Sequence, residues 1–222
     1  MKTDIPTLVI VLVIINFLQI ISFVLQYYAD REGRGNRQWL LWSVFSTAGY
    51  ITMLFRLQSI GSLGFLLPLL TNTFLFVAFI FLVSGIYKFL DQGINAYFLR
   101  SVVAYYFLGT VAAVFFLADA NLRAIILYTA VAALIFVASI TLWRRGDKNI
   151  LVSARFLALL CLIQCGVLVF RSVIALTVSP IRNVFERSAI QAILFIIPIG
   201  MGYLWAFVII VMVNQSKIAQ YR

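Results

Sequence analysis

Trp39-Leu40-Leu41-Trp42 opens a stretch that runs apolar to Phe55-Arg56, turns at residues 58–64 and continues apolar from Phe65 to Phe89. One amide, Asn72, interrupts the second run. Apolar runs of about 20 residues match the thickness of a bilayer core, so the stretch predicts a membrane hairpin of two helices. Arg56 and Asn72 do not suit lipid. An arginine in or near a bilayer is costly and usually faces the protein interior or a wet cavity. Arg56 falls at the end of its helix, and Asn72 lies about 10–12 Å along the next at 1.5 Å per residue. Both therefore sit near one membrane face, and the rest of the chain is expected to wall that corner.

Composition extends the membrane reading to the whole chain. Of 222 residues, 64% are hydrophobic and 11% charged, against about 25% charged in a soluble domain. A polytopic membrane protein with room for seven spans follows. The formal charge of +10 is spread over loop ends between apolar runs. That distribution fits membrane orientation and anionic lipid rather than nucleic acid. The absence of histidine excludes His-ligated haem, His-based zinc sites and His proton relays.

The predicted spans are residues 5–28, 38–57, 63–89, 98–118, 122–143, 152–178 and 188–214. The first is too long for a signal-peptide core, and Pro68 falls in the first turns of the third, where a proline does least damage. With seven spans, eleven of the 17 basic residues lie on the side that holds the 30–37 and 144–149 loops, and six on the other. The positive-inside bias predicts the N-terminus outside and the C-terminus in the cytoplasm. An all-α, seven-helix bundle is expected, with residues 1–214 forming one transmembrane domain and 215–222 starting a cytoplasmic helix.

The outer side is itself basic. Arg171 stands inside the sixth span, and a pocket in which Arg56, Asn72 and Arg171 converge would suit a small polar or anionic ligand, since the guanidinium fork matches carboxylate or phosphate. Snorkelling to headgroups is the alternative for each arginine. The in-span amides Asn16, Gln19, Gln164, Gln191 and Asn214 read as interhelical glue. Ser84-Gly85 and Gly109-Thr110 read as close-packing spots. Cys161 and Cys165, at i and i+4, read as packing residues, and no metal site or cofactor is expected. No nucleophile–histidine pair, paired intramembrane acids or Gly-rich phosphate loop is present, so no enzymatic activity is expected. In the seventh span, Pro198 removes a backbone donor near mid-bilayer and Gly200 and Gly202 loosen the next turn. These three form a candidate hinge.

Several features together resemble a family. They are Asp4-Ile5-Pro6-Thr7-Leu8, Trp39-Leu40-Leu41-Trp42, Gly49, Phe55-Arg56, Asn72, Gly85 and Phe89, with Val213-Asn214-Gln215-Ser216-Lys217 at the exit. The chain resembles the N-terminal membrane sensor region of bacterial diguanylate cyclases (GGDEF proteins) and sensor histidine kinases. The resemblance implies an inner-membrane input domain, a homodimer, and a cytoplasmic effector in cis or in trans. In such proteins the chain continues into an output domain. This sequence reads either as a sensor region of a longer chain or as a stand-alone homologue. The rival expectation is a small transporter or channel, and a third is a membrane subunit that binds no ligand.

Overall fold

The computed structural model describes residues 5–31, 33–55, 63–115, 120–177 and 189–220. Among them the regular structure is seven α-helices: α1 (Ile5–Ala29), α2 (Asn36–Phe55), α3 (Leu63–Phe89), α4 (Ala96–Phe115), α5 (Ala120–Arg145), α6 (Leu151–Thr177) and α7 (Ala189–Gln220). The all-α class holds, and each predicted span falls on a helix. Six helices carry stretches long and apolar enough to cross a membrane, which marks a multi-pass membrane protein by length and composition. α2 is the helix that falls short of this measure. Its buried face includes Ser43, Ser46, Thr47 and Gly49 beside Trp39 and Trp42. Two of those hydroxyls are satisfied within the helix: Ser43 donates to Trp39 O at 3.3 Å and Thr47 to Ser43 O at 2.8 Å. Small side chains whose polar atoms are already paired let neighbouring helices close in.

The hairpin read from residues 39–89 is present. As residue numbers rise along α2, those of their partners fall along α3. The Trp39 indole lies against Gly85, and a Cβ built at Gly49 would lie 3.0 Å from the Leu75 side chain. Phe45 stacks on Phe81 with centroids 5.4 Å apart, and the Thr52 and Thr71 hydroxyls share a 3.0 Å hydrogen bond. Arg56 and turn residues 58–62 lie outside the described residues, and Leu63 and Gly64, read as the end of the turn, already belong to α3.

The chain divides into two compact units, residues 1–85 with 183–210, and residues 86–182 with 211–222. In the first, α1 packs on α2. The buried residues of α1 are Ile5, Val9, Leu12, Asn16, Gln19 and Phe23, alternating steps of four and three as in a coiled-coil seam. Ile5, Val9 and Leu12 form a core with Met53, against which Leu8, Tyr50, Leu54 and Ile199 pack. In the second unit, α5 packs along α6 and against α4. A Cβ at Gly109 would lie 3.1 Å from Ile126, so both predicted close-packing spots, Gly85 and Gly109, are contacts. α3 and α7 contribute to both units, and α7 runs to Gln220 without a break at residue 214.

α3 ends in a turn that glycine usually makes. Asp91 N–H donates to Lys88 O at 3.2 Å and Gln92 N–H to Tyr87 O at 2.9 Å, a Schellman pattern. The residue that must turn left-handed is Asp91, with φ of 55°. Asp91→Gly relieves that strain and raises stability by about 0.5–1 kcal/mol, read as a higher melting temperature in detergent. No gain would show that the Asp91 side chain holds as much as its backbone costs.

Candidate functional site

The first unit places an unusual group near the middle of α1. Gln19 lies about 21 Å from the start of α1 and about 15 Å from its end at 1.5 Å per residue. Its side chain is 4% exposed. The amide faces α7 where that helix has no side chain: a Cβ built at Gly202 would lie 3.5 Å from Gln19 Nε2. One turn on, Phe23 meets Trp42 edge to face at 6.0 Å between centroids. Trp42 meets Trp205 at 6.1 Å, and Trp205 meets Phe79 edge to face at 5.9 Å. Four rings from α1, α2, α3 and α7 thus form a chain of contacts, each pair at a distance and tilt that aromatic quadrupoles favour.

Polar atoms in this cluster are unsatisfied. Among the described residues neither Nε2 nor Oε1 of Gln19 has a hydrogen-bond partner, and neither does Nε1 of Trp205, which is 3% exposed. A buried donor or acceptor without a partner costs about 1–3 kcal/mol, and such groups call for a reason. The interhelical role expected of the amides is therefore not what Gln19 performs. Asn16 bonds within its own helix, Nδ2 to Leu12 O at 2.8 Å, and Gln164 Oε1 likewise has no partner among the described residues. Asn214 is exposed, and the Gln191 side chain lies outside the described residues. Hydroxyls supply much of the cross-helix bonding instead. Besides Thr52 with Thr71, Tyr105 pairs with Thr129 at 2.9 Å, Ser139 donates to Ala158 O at 2.9 Å, and Thr141 donates to Tyr87 Oη at 2.8 Å. Short side chains reach a neighbour only where helices come close, a property of packing that residue type alone does not reveal.

The expected outer corner is distributed as follows. Arg56 lies outside the described residues. Asn72 is partly buried on α3 in the first unit, next to Thr71 of the hydroxyl pair. Arg171 belongs to the second unit, where its guanidinium carbon lies 5.1 Å from the centroid of the Tyr128 ring. That cation–π contact ties α6 to α5. Cys161 and Cys165 are free thiols, and Cys165 Sγ points at Ala132 O at 3.7 Å.

The candidate hinge lies along the same helix as Trp205. Pro198 stands inside α7, so the carbonyl of Leu194, one turn earlier, loses its helical donor. Among the described residues nothing lies within 4 Å of a Cβ built at Gly200. Lower down, within the second unit, Gln215 Oε1 accepts a hydrogen bond from Ser153 Oγ of α6. A cavity of about 280 Å³ opens beside it, lined by Asp91, Arg145, Asp147, Ile150, Ser216 and Ala219 among others. Asp147 is occupied there by its own loop, accepting from Lys148 N at 2.6 Å.

The residues that sequence reading missed are Trp205, Phe79 and the special place of Gln19. The four-three spacing of residues 5, 9, 12, 16, 19 and 23 was the signal available for Gln19, since it puts that amide on the packed seam. No family model, curated protein or solved structure matches the chain, and the site stands on these residues alone.

Proposed function

We propose that this chain is an integral membrane input domain. It spans the membrane seven times with the N-terminus outside, takes up a membrane-borne or external signal, and passes it through α7 to a cytoplasmic effector in cis or in trans. The reading places it as a homodimer in a bacterial inner membrane. The observation that carries it is α7 itself. One helix of 32 residues holds Pro198 and seats Trp205 in the aromatic cluster of the first unit. The same helix presents Gln215 and Ser216 to the hydrogen bond and cavity of the second. An element that belongs to two compact units and contains a helix-weakening triplet is suited to link them. The charge bias supports the orientation.

The test is a fusion of a diguanylate cyclase after Arg222, with one to seven alanines inserted after Gln220. A signal carried along a helix depends on phase, because each added residue turns the output by about 100°. Cyclic dinucleotide levels are expected to rise and fall with insert length and return near the starting value at seven. Output that ignores insert length refutes transmission through α7. A cyclase that is membrane-inserted yet silent at every length refutes the orientation.

A further inference from the structure

The geometry points to the cavity beside the lower end of α7 as a binding site for an ethanolamine-phosphate group, a zwitterion with a primary ammonium beside a phosphate. As a control on α7 this inference rests on the function proposed above; as a binding site it rests on the second unit alone.

Three features fix the ligand class. The first is opposite charge held apart. Arg145 at the end of α5, Asp91 just past α3 and Asp147 in the loop before α6 line one cavity. All three are exposed, so their charged groups are open to a ligand. Yet Arg145 makes no ion pair among the described residues, with these acids or any other. A bare anion there would meet two carboxylates, and a bare cation would meet the guanidinium. A molecule that carries both charges complements the whole wall. The guanidinium fork takes the phosphate, and the carboxylates take the ammonium. Asp147 already accepts from Lys148 N and Asn149 Nδ2, but a carboxylate offers about four lone-pair sites. The second feature is size. About 280 Å³ is just under the roughly 300 Å³ at which drug-sized pockets begin, so the cavity suits a headgroup and not a large cofactor. The third is the backbone of Asp91. Its φ of 55° would cost glycine less, and the residue kept there supplies a carboxylate to the cavity. Strain held at one position is a mark of a functional site.

The level of the cavity argues for phosphate over carboxylate. Arg145 follows Trp143 by two residues, where the apolar run of α5 ends. Trp143 is half-exposed, and the Arg155 guanidinium carbon lies 5.6 Å from its ring centroid. Half-exposed tryptophan beside arginine marks the headgroup zone of a membrane. The zwitterion can therefore come from the bilayer, as phosphatidylethanolamine, or from the water, as a free phosphate ester of ethanolamine. The same charges recognise both. Choline headgroups do not fit, because a quaternary ammonium has no N–H to donate, whereas a primary ammonium has three. Ser216 and Ala219 of α7 also line the cavity, so an occupant rests on that helix.

The full chain is reconstituted in phosphatidylcholine nanodiscs and titrated calorimetrically with glycerophosphoethanolamine. Wild type is expected to give an isotherm that saturates near one per chain. Glycerophosphocholine, with the same phosphate and a methylated amine, gives none. Ethanolamine and glycerol phosphate, each with one of the two charges, bind at least about tenfold more weakly, the scale of one lost charge-assisted hydrogen bond. Arg145→Gln and Asp91→Asn each raise the midpoint about tenfold. Both positions are exposed, and asparagine tolerates the left-handed backbone, so both variants are expected to fold. Asp91→Gly separates binding from structure: it melts higher, as predicted above, and still binds about tenfold more weakly. Nanodiscs that also contain phosphatidylethanolamine identify the source. A higher midpoint there shows that the lipid occupies the site, and an unchanged one assigns it to the free ester. Absence of a saturable isotherm overturns the proposal. So does glycerophosphocholine binding as tightly, or a midpoint that Arg145→Gln or Asp91→Asn leaves unmoved. The titration reads binding only. A flat alanine-insertion series refutes transmission through α7 without touching this site, and a missing isotherm refutes the site whatever that series gives.

Discussion

Gly85→Ala strips the hairpin of its closest contact, and the variant is recovered from membranes at a small fraction of the wild-type level. Trp39 is fully buried, at 0% exposed. A Cβ added at Gly85 would overlap the pyrrole edge of its indole, 2.6 Å from Cδ1 and 2.9 Å from Cε2. The indole cannot slide the other way, because its far end is held too. A Cβ at Gly35 would lie 3.3 Å from Trp39 Cη2 and 2.7 Å from Gly85 O. Gly35 also has φ of 89°, a conformation that other residues rarely take. The tryptophan is thus clamped between two glycines. Overpacking of a rigid ring costs about 1–3 kcal/mol when the surroundings can yield. Expelling a buried Trp costs about 3–5 kcal/mol. Against a total stability of roughly 5–15 kcal/mol for a folded domain, the second outcome is close to unfolding. Gly93→Ala is the control, since nothing among the described residues lies within 4 Å of its Cβ position. A Gly85→Ala protein that melts where wild type and Gly93→Ala melt would refute the clamp.

Trp39 and Gly85 also show which parts of the molecule the sequence makes legible. Composition and run length were enough for the helices, because an apolar stretch in lipid has few alternatives to helix. The hairpin followed from the same stretch, its register only from the structure, and Gly85 and Gly109 were readable as close contacts because a missing side chain in an apolar run has few other uses. α2 was less legible as a span. Its Ser and Thr residues lower its hydropathy but sit on the buried face, and a single sequence gives residue type without direction. Gln19 was misread for a related reason. A polar side chain in a membrane helix usually finds a partner, and only the structure, with Gly202 opposite the amide, shows that this one has none among the described residues. Asp91 carried no signal at all: its left-handed backbone is imposed by the two hydrogen bonds that close α3. The grouping of Arg56, Asn72 and Arg171 rests on depth and membrane side. Both are legible in a sequence, whereas the side of a helix that a neighbour covers is not: that Arg171 lies over an aromatic ring on α5 had no sequence signal.

Pro198→Ala is expected to lock α7 in one shape and to remove the signal response of a fused cyclase, with insertion and expression intact. An interior proline weakens a helix by about 3 kcal/mol, through the lost hydrogen bond and the clash with the preceding turn. Neighbouring helices recover part of that in a membrane. Restoring the donor would therefore favour the straight form by up to about 3 kcal/mol, roughly a hundredfold in population. Two states that a ligand can exchange differ by only a few kcal/mol, so a bias of that size silences the exchange. The helix below the hinge has room to respond. Ser216 and Ala219 border the cavity of about 280 Å³, and the Ser153 contact to Gln215 is a single hydrogen bond that can break and re-form. Spin labels at Ile193 and Ile218, which are 56% and 57% exposed, would straddle the hinge. In a straight helix these positions are about 37 Å apart along the axis at 1.5 Å per residue. Pro198→Ala should give one narrow distance distribution near that value, and wild type a shorter or broader one. Equal distributions in the two proteins would establish a static proline and remove the lever.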